Sequence, residues 1–262
     1  MDISAQAFRW FTSYVSDFKT EQNIILKEEH TEKVVLEAVS LARILDWPEE
    51  DIILAGLIAR FHDLARFEQF SRFKTFKDKD SKDHGDWGVE LFEELNPLPP
   101  LMGEDRRILL SAIRYHNKKS IPGGLTERER QHCRLIRDAD KIDIYRVVTG
   151  SDVSFTGVGS CEDNTTSPYL SLLIDNLLNG IQSDNTHLKT REELILLQLG
   201  WIYDLNYLES LRIIDRRGYL NLLIEELPEG QDRDRIEKHI QKTVAEKLSN
   251  RITGSKAGQM AY

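Results

Sequence analysis

Residues 30–46 read HTEKVVLEAVSLARILD, and their apolar side chains recur every three or four positions. This spacing places one apolar stripe along an α-helix, which has a period of about 3.6 residues. The next segment, WPEEDIILAGLIARF at residues 47–61, has near its start a proline and acidic residues that are typical of a helix N-terminus. The predicted stripe consists of Val34, Val35, Ala38, Leu41, Ala42 and Leu45.

Helical patterns continue along most of the chain, whereas the alternating patterns of strands are scarce. Two capping boxes are predicted, Thr126 with Glu129 and Thr190 with Glu193, and Gly218 is expected to interrupt a helix. We therefore expect an all-α protein with a bundle of five core helices and additional C-terminal helices. Further helices are predicted near residues 84–95, 103–117, 126–148, 167–180, 190–215 and 231–250.

Composition narrows the class of protein. The 262 residues carry a net charge of −9 and no basic tract, so a nucleic-acid polymer is not an expected partner. There is no apolar run long enough to cross a bilayer, and the start MDISAQAFRWF lacks the pattern of a signal peptide. We therefore expect a cytoplasmic location and no membrane partner. Two cysteines do not indicate a disulfide framework.

The domain organisation follows from length and loop composition. We expect a single domain over residues 1–262, with a core at about 24–150 and a helical extension at about 167–250. The loop at residues 149–168 is the best candidate for an internal boundary or an active-site lid. The aromatic-rich stretch at residues 193–214 indicates internal packing, with a homodimer interface as the alternative.

Histidines and aspartates mark a candidate metal site. Four of the seven histidines lie near the ends of predicted helices, and the intervals between them each correspond to about one helix and its turn. A helical bundle can bring one residue from each helix to a common point. Imidazole and carboxylate groups together favour manganese, iron, cobalt, nickel or zinc over calcium. The candidate ligands are His30, His62, Asp63, His84, His116 and Asp140.

Five motifs carry a resemblance to a known family, in the order LKEEHTEKV, LIARFHDLARF, DHGDWGVELFEE, AIRYHN and RDADKID. Over about residues 24–150 they resemble the HD superfamily of metal-dependent phosphohydrolases, which is named for its His-Asp pair. The resemblance implies a five-helix core and a metal set of His30, His62, Asp63 and Asp140. His84, in H-G-x-x-G, and His116, in A-I-x-x-H, resemble the two further histidines of the subset that holds a second metal, often iron. One or two divalent ions are therefore expected, Fe, Mn, Co, Ni or Zn, with Mg also compatible.

Basic residues near these motifs are candidates for substrate binding. Arg66 lies one helical turn after Asp63, and its guanidinium can bind two phosphate oxygens. We assign catalytic roles to Asp63, as the ligand that touches both metals, and to Arg66. For Arg66 the alternative is an ordinary salt bridge with Asp63 or Glu68. The other candidate contacts to substrate are Lys27, Asn117, Lys118 and Lys141, followed by Lys119, Arg72, Lys74 and Lys82.

The expected function is hydrolysis by a metal-dependent phosphohydrolase. Its substrate would be a phosphate ester or phosphoanhydride of a nucleotide or of another small phosphorylated molecule. Two alternatives remain open. A di-iron oxygenase-like enzyme uses a similar ligand set, and a non-catalytic HD regulator would sense a nucleotide without cleaving it.

Overall fold

The computed structural model of the chain describes residues 2–18, 21–150, 168–184 and 187–249. These residues form α-helices and short 3-10 helices and contain no β-strand, which confirms the all-α prediction. The 3-10 helices are Asp78–Asp80 and Trp201–Tyr203. The α-helices are α1 (Ile3–Ser16), α2 (Gln22–Ile44), α3 (Glu49–Phe61), α4 (Leu64–Phe73), α5 (His84–Leu95), α6 (Gly103–Tyr115), α7 (Glu127–Val148), α8 (Pro168–Leu178), α9 (Arg191–Gly200), α10 (Leu208–Arg216), α11 (Tyr219–Glu225) and α12 (Gln231–Ser249).

The chain divides into two compact units, Met1–Val147 and Val148–Tyr262. All five sequence motifs lie in the first unit. The expected single domain over residues 1–262, with its core at 24–150 and its extension at 167–250, stays a prediction. Most of the predicted boundary or lid at residues 149–168 falls outside the described residues. In the described ranges, no helix combines the length and the apolar character needed to cross a membrane.

The apolar stripe of α2 forms part of the core of the first unit. Val34, Ala38, Leu41 and Ala42 are fully buried, and α2 packs against α3. A second part of the core consists of aromatic rings on four different helices. Their edge-on contacts join Phe11 to Phe61, Phe11 to Phe67 and Phe61 to Phe92, with centroids 5.2–6.3 Å apart. The aromatic rings therefore anchor the chain on both sides of the His62-Asp63 pair.

Helix ends follow the local sequence signals in several places. Both predicted capping boxes are present: in each, the threonine hydroxyl accepts from the glutamate N–H, and the glutamate carboxylate accepts from the threonine N–H. Gly218 has φ 71° and separates α10 from α11, as predicted. In a left-handed conformation of this kind, glycine has no Cβ to clash with the backbone.

The predicted single helix over residues 190–215 is wrong. Helix α9 ends at Gly200, a 3-10 turn follows, and α10 begins only at Leu208. Apolar periodicity continues through this region, but Gly200 and Asn206 have poor helix propensity. The Tyr203 hydroxyl, within the turn, donates to the carbonyl oxygen of Leu177 at 3.1 Å, so tertiary packing stabilises the interruption.

Helix α5 approaches the end of α6 so closely that position 85 has no room for a side chain. A Cβ on Gly85 would lie 2.5 Å from Oδ1 of Asn117 and 2.7 Å from the carbonyl oxygen of Arg114. We expect Gly85→Ala to lower the free energy of unfolding by about 1–3 kcal/mol, because overpacking exceeds the gain in helix propensity. Gly124→Ala is the control, since nothing lies within 4 Å of its Cβ position. Urea unfolding curves compare the two variants, and equal midpoints would contradict the packing argument.

A buried histidine outside the metal-site motifs makes the stability of this unit depend on pH. Burial lowers the pKa of His132, although its Nε2 donates to Oδ1 of Asp51 at 2.9 Å. Below the unfolded-state pKa of about 6.5, His132 therefore binds a proton in the unfolded chain but stays neutral in the folded chain until the pH reaches its lowered pKa. This contribution to stability is present at neutral pH and is lost as the pH falls from about 6.5 towards the lowered folded-state pKa.

Replacing His132 with phenylalanine is expected to remove this dependence. The ring would keep the edge-on contact that His132 makes with Trp47, at a centroid distance of 4.8 Å. Between about pH 7 and pH 5, the free energy of unfolding should fall less steeply in His132→Phe than in the wild type. His187→Asn, at an exposed position, controls for the removal of a histidine as such. Parallel slopes for wild type and His132→Phe in urea unfolding would show that His132 does not contribute.

Candidate metal centre

The six candidate ligands come from five different places in the first unit, and all of them are helix ends or helix faces. His30 lies on α2 and Asp140 lies within α7, while His62 and Asp63 lie between α3 and α4. His84 is the first residue of α5, and His116 follows the last residue of α6.

These residues form two overlapping groups that share Asp63. The first group contains His30, His62, Asp63 and Asp140, and the second contains Asp63, His84 and His116. Within each group, the potential ligand atoms all lie within 4.8 Å of one another. The structure thus brings together all the candidate ligands, and it arranges them as two candidate metal positions rather than one.

The carboxylate of Asp63 presents one oxygen to each group. Its Oδ2 lies 3.2 Å from Nε2 of His62 and 3.7 Å from Nε2 of His30. Its Oδ1 lies 3.5 Å from Nε2 of His84 and 3.5 Å from Nε2 of His116. Because the two oxygens face different groups, this side chain has the placement that a carboxylate bridging two ions requires.

A break between two helices allows adjacent residues to face the same site. Helix α3 ends at Phe61 and α4 begins at Leu64, so His62 and Asp63 are the two residues between them. Asp63 has φ −107° and ψ 21°, outside the helical region. In a continuous helix their side chains would diverge by about 100°. The break removes this constraint, and the buried side chains of Phe61 and Leu64 hold it in place.

Two of the histidines are oriented by backbone carbonyls of the helix that precedes them. Nδ1 of His62 lies 2.8 Å from the carbonyl oxygen of Ala59, and Nδ1 of His116 lies 2.7 Å from that of Ile113. A carbonyl oxygen only accepts, so each Nδ1 carries the proton and donates. The Nε2 atom of the neutral ring is then left with a lone pair, which is the form that binds a metal.

The other two histidines are oriented by carboxylates. Nδ1 of His30 lies 2.7 Å from Oδ2 of Asp143, which is itself buried. Nδ1 of His84 lies 2.7 Å from Oδ2 of Asp78. The same logic assigns the proton to Nδ1 in both rings and directs the Nε2 lone pairs towards Asp140 and Asp63. All four imidazoles therefore have the orientation that metal ligands need.

The site contains buried polar atoms whose needs a cation would meet. In the described part of the chain, Nε2 of His62 and Oδ1 of Asp63 are buried and have no hydrogen-bond partner. Leaving such groups unsatisfied is costly, and native proteins rarely do so without a reason. Nε2 of His84 also lies only 3.0 Å from Nε2 of His116, although both nitrogens are directed as acceptors. The residues present fit divalent transition-metal ions.

Electrostatics points the same way. Burial would raise the pKa of Asp63, but Lys27 and His62 hold it well below its usual range, so Asp63 is ionised. Burial would lower the pKa of His62, yet the carboxylates of Asp63 and Asp140 raise it to about 9. The negative charge that attracts a proton to this nitrogen also attracts a metal cation. At His84, burial and then Arg66 lower the pKa to about 4, so this ring is neutral at physiological pH.

Two predicted substrate residues lie directly beside Asp63. Lys27 is buried, not exposed at the surface, and it forms an ion pair with Oδ2 of Asp63. Nε of Arg66 lies 3.5 Å from Oδ1 of Asp63, while Glu68 pairs with Arg72 instead. The side chain of Arg66 is 17% exposed, so it connects the buried ligands with solvent.

The remaining predicted substrate residues have protein partners. The Nδ2 of Asn117 donates to Oδ2 of Asp78 at 3.3 Å and to Oδ1 of Asp83 at 3.2 Å. Nζ of Lys118 lies 2.5 Å from Oδ1 of Asp83. Lys141 is half-buried and follows Asp140 on α7. The roles of these three residues in substrate binding stay predictions.

The further basic candidates Arg72, Lys74 and Lys82 contact other side chains. Nε of Arg72 lies 2.7 Å from Oε2 of Glu68. Nζ of Lys74 lies 2.5 Å from Oε1 of Glu21, and Nζ of Lys82 lies 4.9 Å from the ring centre of Trp87. These contacts do not place the three cations beside the candidate ligands.

Sequence reasoning missed the residues that orient the ligands. Asp143 lies three residues after Asp140, on the same face of α7, so helical spacing alone could have indicated it. Asp78 lies in the loop segment KDKDSKD, where nothing distinguishes it from a solvated charge. Arg137 was also missed. Its NH1 donates to the carbonyl oxygens of Tyr115 and Lys118, which fixes the turn that carries His116.

Comparison with protein families agrees with this geometry. Residues 28–145 match the family described as HD domain. This match, together with the two groups of candidate ligands, confirms the resemblance of the sequence motifs to the HD superfamily. No curated protein and no solved structure gives a significant match to the chain.

The two groups lead to a prediction about metal content. Protein purified anaerobically should contain up to two transition-metal ions per chain. His116→Gln removes a ligand of the second group only and should lower the content towards one. Asp63→Asn affects both groups and should lower it further. Metal analysis by mass spectrometry measures each content, with His187→Gln as an exposed control. Unchanged metal in both His116→Gln and Asp63→Asn would contradict the ligand assignment.

Proposed function

We propose that the protein is a metal-dependent phosphohydrolase that cleaves a phosphate ester or phosphoanhydride of a nucleotide or another small phosphorylated molecule. The observation that carries this proposal is the carboxylate of Asp63, which lies between two candidate metal groups and beside Lys27 and Arg66. Two adjacent metal positions next to fixed positive charge suit a reaction in which an anionic phosphoryl group is attacked by water.

The residues divide the chemistry among them. His30, His62, Asp63, His84, His116 and Asp140 would hold one or two divalent ions, of Fe, Mn, Co, Ni, Zn or Mg. Such ions supply Lewis acidity, which activates water and polarises a phosphoryl oxygen. In hydrolysis the P–O bond to the leaving group breaks, water provides the hydroxyl group that joins phosphorus, and the leaving group takes up a proton.

Arg66 is suited to binding the non-bridging oxygens of the phosphoryl group. Its NH1 is held by Oε1 of Gln69 at 2.8 Å, by Oδ1 of Asp78 at 3.1 Å and by the carbonyl oxygen of Phe76. A guanidinium fixed in this way loses little conformational entropy when it binds an anion. Arginine keeps its proton at all relevant pH values, so Arg66 neutralises charge and does not act as a general acid.

Buried Lys27 supplies a second positive charge at the same point. Its ion pair with Asp63 offsets part of the cost of burying that carboxylate. The same ammonium would add positive charge beside Asp63 for an anionic phosphate oxygen. Lys27 would therefore balance negative charge both on the ligand Asp63 and on the phosphate of the substrate.

Aromatic residues near Arg66 favour a nucleotide as the first substrate class to test. The guanidinium carbon of Arg66 lies 5.9 Å from the ring centre of Phe76, and Phe73, the last residue of the helix that carries Arg66, is 42% exposed. Aromatic faces of this kind can stack on a base.

The cytoplasmic location and the alternative of a homodimer interface at residues 193–214 also stay proposals.

Hydrolysis is tested with metal-loaded protein and a panel of nucleotides and phosphate monoesters, by measuring released phosphate. Removing the guanidinium in Arg66→Gln should lower kcat/KM by about 100-fold, the scale of losing one charged transition-state contact. The matched control is Arg72→Gln on the same helix, where the side chain is exposed and pairs with Glu68. Arg72→Gln should retain wild-type activity.

The other outcomes distinguish the alternatives. Equal activity in Arg66→Gln and wild type would remove Arg66 from the mechanism. Metal-loaded protein that releases phosphate from no panel member would contradict the proposal. In that case, oxygen consumption would support a di-iron oxygenase-like enzyme, and nucleotide binding without turnover would support a regulator.

A further inference from the structure

Asp78 connects the second metal group with the candidate phosphate-binding arginine. Its Oδ2 lies 2.7 Å from Nδ1 of His84, and its Oδ1 accepts from NH1 of Arg66 at 3.1 Å. Nε2 of Gln69 donates to Oδ1 at 3.0 Å, and Nδ2 of Asn117 donates to Oδ2 at 3.3 Å. The carboxylate of Asp78 thus accepts hydrogen bonds from the candidate ligand His84, from Asn117 next to the candidate ligand His116, and from Arg66 and Gln69.

The arrangement requires two acceptor oxygens at position 78. All four neighbours present N–H groups, and an ionised carboxylate can accept on both of its oxygens. An asparagine has the same shape but only one acceptor oxygen, and its NH2 group would face N–H donors on one side. The exchange of Asp78 for asparagine therefore leaves either the His84 side or the Arg66 side without its acceptor.

We propose that Asp78 is a positioning residue that orients His84 for the second metal and Arg66 for the substrate. A carboxylate on the outer nitrogen of a ligating histidine fixes the tautomer and raises the basicity of the other nitrogen. Asp143 has the equivalent relation to His30 in the first group. The part of the proposal that concerns Arg66 rests on the proposed function, whereas the part that concerns His84 does not.

The metal part is tested by titrating metal-free protein with Co²⁺ and following both its visible absorption and the heat of binding. Outer-shell substitutions typically weaken metal binding by about 10–100-fold. In Asp78→Asn we expect this loss at the second equivalent and not at the first. Asp143→Asn should give the opposite pattern, because it touches only the first group. Asp80→Asn, exposed on the same short helix, is the matched control and should titrate like the wild type.

The substrate part is tested with the hydrolysis assay at saturating metal. Under these conditions the second position is filled even in Asp78→Asn, so any remaining defect reflects Arg66. We expect KM to rise and the defect to be non-additive with Arg66→Gln, because both changes remove the same positioned guanidinium. Asp78→Glu, which restores both acceptor oxygens, should recover part of the loss.

Several outcomes would overturn the proposal. If Asp78→Asn lost both Co²⁺ equivalents and kept a normal urea midpoint, Asp78 would affect both groups and not the second group alone. An unchanged second equivalent, or a wild type that binds only one Co²⁺ ion, would remove the role at His84. If Asp78→Asn fails to fold, Asp78→Ser, which lacks the paired carboxylate oxygens, takes its place: a weaker second equivalent supports the role, and wild-type affinity overturns it. A lack of hydrolysis would affect only the proposed function, since the Co²⁺ titration does not depend on turnover.

Discussion

The interaction on which the site depends is the contact of one buried carboxylate with two sets of imidazoles. Asp63 is 3% exposed, and its charge is surrounded by Lys27 and by histidine nitrogens at 3.2–3.7 Å. An isolated charge at this depth would be too costly to bury. The negative charge of Asp63 therefore has to be balanced, either by protonated side chains or by a bound cation. The imidazoles around it are oriented to bind a metal cation.

The bundle achieves this by ending helices at the site. Helices α3 and α6 stop just before His62 and His116, and α5 starts at His84. A helix end can place a side chain without the fixed angular spacing of a helix interior. Close approach of α5 to the end of α6 depends on Gly85, because a methyl group there would meet Asn117 and Arg114. Packing between helices and the geometry of the candidate metal centre thus depend on the same few contacts.

The sequence was sufficient for the all-α class and for the grouping of the candidate ligands, because both leave a pattern in residue order. Apolar periodicity marks helices, and the four histidines near the ends of predicted helices indicate a shared point, although His30 lies within α2 and not at its start. It was insufficient where the decisive contact is long-range. The interruption after Gly200 and the partnership of Asp78 with His84 depend on residues that come together only in the folded chain. The burial of Lys27 is likewise invisible in a segment rich in charge.

The two candidate metal positions hold their histidines in the same two ways. Each contains one histidine held by a main-chain carbonyl, His62 or His116, and one held by a carboxylate, His30 or His84. No side-chain substitution can delete a main-chain carbonyl, so one ligand in each position is insulated from mutation of its support. The other depends on a single charged residue that could be exchanged while the helices stay intact. The electronic character of either position can therefore drift separately over evolutionary time, on a scaffold that keeps one histidine of each position constant.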